Sequence, residues 1–176
     1  MSTTAIDELL DKIRSGKPDE VGEAYQELVA VGDDNVAALR NALDDESELV
    51  RWAAVGVLGD IGARDAIEAV ADRTEDTDVR VRVSAAQSLG QLGSAEGIPV
   101  LIEALQSDDV TFGHPPELVG DYAAQVLRSL TDEEFGFDAS AAESDRAEAI
   151  EHWKEWWDNH EERFEVDDIH DSGNER

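Results

Sequence analysis

Four scattered histidines, His114, His152, His160 and His170, are all that the chain offers for imidazole chemistry, and it has no cysteine. No His-x-x-x-His pair occurs, no glycine-rich phosphate loop is present, and nothing is spaced like a nucleophile with its base. Without thiols, disulfides, thiolate-zinc sites and cysteine nucleophiles are excluded. Carboxylates are abundant instead: 43 Asp and Glu face 14 Lys and Arg, for a net charge of −29. Close pairs such as Asp33 and Asp34, Asp76 and Asp78, or Asp108 and Asp109 gather divalent cations loosely, but none fits a twelve-residue calcium loop. The expectation is therefore no catalytic residue, no metal site and no cofactor, with charge itself as the working chemistry.

The carboxylates must be positioned by something repetitive, because the chain repeats itself. "VRWAAVGVLGDIG" from Val50 returns as "VRVSAAQSLGQLG" from Val81, so that Arg51, Ala54, Leu58, Gly59 and Gly62 map onto Arg82, Ala85, Leu89, Gly90 and Gly93, all 31 residues on. Apolar residues recur at three- and four-residue steps, which is helical spacing. Gly62 and Gly93 end these helices. A second apolar series follows in the same register, Val36, Ile67 and Ile98, then Leu39, Val70 and Leu101. The unit is helix, glycine turn, helix.

A degenerate earlier copy runs from Pro18, which starts a helix, to Gly32, which ends it, with Asp33 or Asp34 expected to cap the next. A later copy is displaced by a seven-residue insertion holding Gly113, Pro115 and Pro116, and its second helix is expected to start at a Ser144 cap. The predicted organisation is an N-terminal capping helix over 1–16, with Ile6, Leu9, Leu10 and Ile13 on one face. A four-unit array follows over 17–160 (about 17–45, 46–75, 76–106 and 107–160), and then an acidic tail over 161–176 that lacks an apolar face and is expected to be disordered. No secretory leader or membrane-length apolar run is evident, so a soluble, cytoplasmic protein is expected.

The stretch "DVRVRVSAAQSLGQLGSAEGIPVLIEAL", Asp78–Leu105, resembles the HEAT-like repeat of the phycobilisome-lyase type. The Phe-Gly-x-Asp loop and Trp-x-x-Trp helix near the end resemble the last unit of such proteins. The resemblance implies an all-α fold: a right-handed α-solenoid of about four helical pairs, with an N-terminal capping helix and a Trp-rich C-terminal capping helix. It also implies that second helices line a concave, partner-binding side. Scarce lysine, retained arginine and acids spread along the whole chain resemble proteins of halophilic archaea, in which molar salt screens carboxylate repulsion. Di-iron hydroxylases of this repeat class carry symmetric His-Glu pairs, whereas His160-Glu161 stands alone. Bilin lyases share the repeat, but no basic residues are placed here for bilin propionates.

On the second helices three ladders project outward: Asp34, Asp65 and Glu96; Asn41, Asp72 and Glu103; Asp44, Glu75 and Gln106. Stacked this way they form an acidic groove suited to a basic segment of a partner protein, unless they merely follow the acidity of every solvated face. Arg51 and Arg82 are expected to bridge neighbouring units through carboxylates such as Asp60 or Asp78. Trp153, Trp156 and Trp157 share a helix with Ile150. Two of the tryptophans are expected to plug the core, and Trp156 is the candidate exposed anchor. Phe112 and His114 in the insertion are candidates for the edge of a binding site. The expected partner is a protein, with no nucleic acid and no membrane, and the chain is expected to act as a monomer or within a hetero-complex. The expected function is a non-enzymatic adaptor. The alternatives are a lyase- or chaperone-like accessory factor, and a subunit docked through its C-terminal end.

Overall fold

The computed structural model describes residues 3–113 and 115–166. Nine α-helices follow one another in the described chain: α1 (Thr3–Arg14), α2 (Pro18–Val31), α3 (Val36–Ala42), α4 (Glu48–Asp60), α5 (Ile67–Ala71), α6 (Val79–Leu92), α7 (Ile98–Ala104), α8 (Val119–Thr131) and α9 (Glu143–Val166). Among the described residues the one β feature is an isolated bridge, Val110 to Leu118. The helices pair as an α-solenoid, with α2, α4, α6 and α8 as first helices and α3, α5, α7 and α9 as second helices. Packing is between neighbours: α1 lies on α2 and α4, α4 on α6, and α6 and α7 on α8.

The burial pattern explains why the array holds together. Ile6, Leu9, Leu10 and Ile13 of α1 are buried in the same apolar cluster as Leu28, Leu39, Val50 and Leu58, so α1 covers what would otherwise be an open end. In the middle, α6 is buried on two sides. Val81, Ala85, Leu89 and Leu92 face this cluster, while Val83 and Ala86 face a second one built on Ile98, Leu101, Leu127 and Trp153. Each fully buried Leu, Ile or Val stabilises by about 1.5–3 kcal/mol relative to exposure, so an internal helix draws stability from both neighbours.

The two glycines of the repeated Leu-Gly-x-x-Gly stretch do different work. Gly62 and Gly93 adopt positive φ, 70° and 93°, where the chain reverses. Gly59 lies inside α4, where a Cβ would stand only 2.6 Å from Ser88 Oγ, so its role is close approach of α4 and α6. Buried Ser88 fills that contact and donates to the Val55 carbonyl at 3.1 Å, serving a helical backbone group rather than a ligand.

Several local expectations are corrected. The second helices of the early units are short, because 3₁₀ turns at Gly32–Asn35, Arg64–Ala66 and Asp72–Glu75 flank them. Asp33 and Asp34 sit in the first of these turns and do not cap α3. Asn35 precedes α3, and its buried amide donates to the Leu28 carbonyl at 2.8 Å, closing the end of α2 instead. Ser144 lies inside α9, whose first turn closes on the Ala142 carbonyl. That helix also runs on to Val166, so residues 161–166, expected as disordered tail, are helical. Phe164 explains the extension, since it packs on Trp156 and Trp157 at ring distances of 5.9 and 5.7 Å. Residues 167–176, the rest of the expected tail with His170, lie outside the described residues.

Candidate binding groove

Between the second-helix side of the middle units and the far half of α9 lies an open groove of about 840 Å³. Arg64 and Ile67 form one wall, the turn from Leu92 to Glu96 forms the floor, and Trp157, Glu161 and Phe164 form the other wall. Pro99 and Trp157 carry it into a smaller depression of about 220 Å³ beside Glu103, Gln106, Lys154 and Asp158. Local sequence explains the wall: Trp157, Glu161 and Phe164 stand at i, i+4 and i+7 of α9, hence on one face. Apolar surface is thus interleaved with carboxylates, and Arg64 and Lys154 are the cations on its walls.

The aromatic end is layered. Trp153 is 1% exposed and meets Phe135 edge-on at 4.7 Å. Trp156 is half-buried, sits edge-on to Trp153 at 5.9 Å and stacks on His160 at 4.8 Å. His160 Nδ1 lies 2.7 Å from the Trp156 carbonyl, which accepts the ring N–H. Trp156 Nε1 is buried without a hydrogen-bond partner. Trp156 is therefore tied into the end of the core, and the tryptophan that reaches the groove is Trp157.

The remaining expected site residues divide. Glu96 lines the large groove, and Glu103 and Gln106 line its extension. Asp72 and Glu75 line a separate polar hollow with Asp44, Arg51, Arg73 and Asp76. Asp34, Asn41 and Asp65 are exposed, and Arg40 donates to the Asp65 carbonyl at 3.3 Å. The ladders are accordingly not uniformly acidic: Arg73 sits 3.3 Å from Asp44 and Arg64 enters the groove.

Phe112 is not beside this groove. Its ring lies 5.7 Å from Trp52 of α4 with the Arg80 guanidinium of α6 3.8 Å above it, so the insertion folds onto first helices. His114 lies outside the described residues. Trp157, Phe164, Pro99 and Arg64 were absent from the expected site. The periodicity of 157, 161 and 164 was the available signal, hidden by ending the helix at 160.

The arginine bridges are also reassigned. Arg51 Nε and Nη2 each donate at 2.8 Å to the carboxylate of Asp76, not of Asp60 or Asp78. Burial pushes the Asp76 carboxyl up, but the Arg51 guanidinium and the Asp78 backbone N–H outweigh it and hold the group below the usual carboxylate range. Asp60 accepts from the Tyr25 hydroxyl at 2.7 Å and the Gln91 amide at 3.1 Å. Asp78 accepts from its own helix at Arg80 N and pairs with the Arg80 side chain, as a capping residue. Among the described residues no group of three or more His, Asp or Glu is placed to hold a metal ion, and no helix is long and apolar enough to cross a membrane.

A search of curated protein sequences found no match. Among solved structures, the complex of CpcE and CpcF of phycocyanin lyase from Nostoc matches over 87% of this chain and 99% of that chain, with a TM-score of 0.55 and 21% identity. At that identity the likeness is one of fold. A family model described as HEAT repeats matches residues 6–79 and 36–112, together more than half of the chain and the same units whose helices stack in register. The chain therefore belongs to the HEAT-repeat family.

Proposed function

We propose that the protein is a non-enzymatic interaction module that holds a basic, partly apolar segment of another protein in the groove between its second helices and α9. The observation that carries this is the position of Trp157, which lines both the large groove and its extension with Glu161 and Glu96 on one side and Glu103 and Asp158 on the other. An aromatic anchor flanked by carboxylates suits an apolar side chain bracketed by Lys or Arg. The net charge of −29 favours encounter with a cationic segment and disfavours nucleic acid and anionic membrane surfaces.

The test is capture from a lysate held at high KCl, comparing wild type with Trp157→Ala and with Glu96→Ala/Glu103→Ala by mass spectrometry. A partner kept by wild type and lost by both variants, with unchanged thermal melts, is expected. Equal capture by all three proteins refutes the groove as the working surface.

A second reading is a lyase-like accessory role within a hetero-complex. It is supported by the fold shared with a CpcE–CpcF subunit and by a groove large enough for a small chromophore with Arg64 at its wall. Visible absorbance that co-purifies with the protein and disappears in Arg64→Ala would favour it over the adaptor. A docked-subunit role would instead appear in light scattering as a discrete assembly of the purified protein.

A further inference from the structure

The turns that join successive units are copies of one another. Asp45 N donates to the Ala42 carbonyl, Asp76 N to Arg73 and Ser107 N to Ala104, at 3.2, 3.2 and 3.0 Å and always 31 residues apart. In each turn the side chain then accepts from the backbone N–H two residues on: Asp45 from Ser47, Asp76 from Asp78 and Ser107 from Asp109. Residue 107 thus occupies the place of Asp45 and Asp76.

The arginines repeat as well. Arg51 Nη1 donates to the carbonyls of Asp45 and Glu46 at 2.9 and 3.2 Å, and Arg82 Nη1 to those of Asp76 and Thr77 at 2.9 and 3.3 Å. With Nη1 anchored alike, Ser107 is, relative to Arg82, the repeat equivalent of the Asp76 that takes the Nε and Nη2 edge of Arg51. Asp45 is served by Arg14 Nη2 at 2.7 Å and Asp76 by Arg51, but the third rung offers only the Ser107 hydroxyl, and no carboxylate among the described residues pairs with Arg82. In a chain with three acids for every base, an arginine fork left open is an oxyanion seat.

We propose that Ser107 is a phosphorylation site and that its phosphate completes the third rung on Arg82. In the transfer, Ser107 Oγ bonds to the γ-phosphorus of a nucleoside triphosphate held by a protein kinase, the bond to the β,γ-bridging oxygen breaks, the nucleoside diphosphate leaves, and the hydroxyl proton passes to the kinase's base. Ser107 is half-buried in a surface turn, between exposed Gln106 and exposed Asp108. Phosphoserine reaches one bond further than aspartate, within the range of an arginine side chain. Asp109, 3.4 Å from Ser107 Oγ, opposes the added charge, yet the second rung already holds Asp76 two residues before Asp78. Arg80 neutralises Asp78 there, and Arg146, 3.3 Å from Asp108, stands beside the third turn.

The test uses the full chain with phosphoserine incorporated at 107, with and without Arg82→Gln. Phosphorus NMR titration should show the second phosphate ionisation at least about half a unit below its ordinary value of about 6, returning to it in Arg82→Gln. The melting temperature should rise by about 2–4 °C on phosphorylation, whereas two more negative charges placed elsewhere on this chain lower it. Ser107→Asp should raise it too, and lose the gain with Arg82→Gln. Titration near 6 in both backgrounds, or a fall in melting temperature irrespective of Arg82, overturns the seat. Inorganic phosphate that protects the unmodified protein as well as phosphoserine does assigns the seat to free phosphate and overturns the assignment to Ser107. So does the absence of the phosphorylated peptide from protein isolated from its native cells.

Discussion

Replacing Asp76 with alanine is expected to cost about 3 kcal/mol, the lower end of the range for breaking one partner out of a buried pair. The Asp76 side chain is 4% exposed and that of Arg51 13%, and the carboxylate accepts three N–H groups at 2.8–2.9 Å, two from Arg51 and one from Asp78. The lower end applies because Arg51 keeps its bonds to the Asp45 and Glu46 carbonyls. At roughly 2–4 °C per kcal/mol for a chain of this size, the melt followed by circular dichroism at pH 7 should fall by about 6–12 °C. Asp60→Ala, which loses only surface contacts to Tyr25 and Gln91, should cost about 1 kcal/mol or less. Arg51→Ala/Asp76→Ala should show a coupling of about 2 kcal/mol. The Asp76 carboxyl titrates lower in the folded protein than its unfolded value of about 3.9. Its contribution is therefore whole above that pH and is lost as pH falls through the lowered folded value. The difference between wild type and Asp76→Asn should accordingly shrink below about pH 4. Additive single and double mutants, or equal losses for Asp60→Ala and Asp76→Ala, would refute the assignment of the bridge.

Gly97→Ala should destabilise by about 1–3 kcal/mol, because the new Cβ meets the Ala86 backbone at 2.5–2.6 Å, where no side chain can yield. Gly22→Ala, in α2 with nothing within 4 Å, should instead stabilise by about 0.5–1 kcal/mol, and chemical denaturation of both variants tests the contrast. Lowering KCl from molar to millimolar should reduce helical content, since a charge of −29 then repels itself without screening; an unchanged circular-dichroism signal would refute salt dependence.

The repeat could be read from the chain because its cause is local. Helical spacing, glycine at a positive φ and a 31-residue register are carried by near neighbours, so α4 and α6 and the turns at Gly62 and Gly93 stand where the pattern put them. Glu96, Glu103 and Gln106, expected on the second-helix side by the same register, line the groove and its extension. Arg51 was not assigned to its partner because Asp60, Asp76 and Asp78 are all within reach by sequence, and only the turn between units, with its Asp76 side chain folded back onto Asp78 N, chooses among them. Phe112 was expected only at the edge of an unspecified site, because an insertion carries no register. It docks where Trp52 and Arg80 happen to be exposed together on the first helices.

Composition and periodicity alone thus settled the all-helical class, the repeated helix–turn–helix unit and the excess of acid over base, since these depend on residue type and on spacing within one or two turns. The groove belongs to the assembled array. Arg64, Pro99, Trp157 and Phe164 are separated by up to 100 residues, and they meet because α9 continues past its last expected turn and lies across two earlier units. A long-range apposition of this kind is decided by packing between helices, which no local pattern encodes.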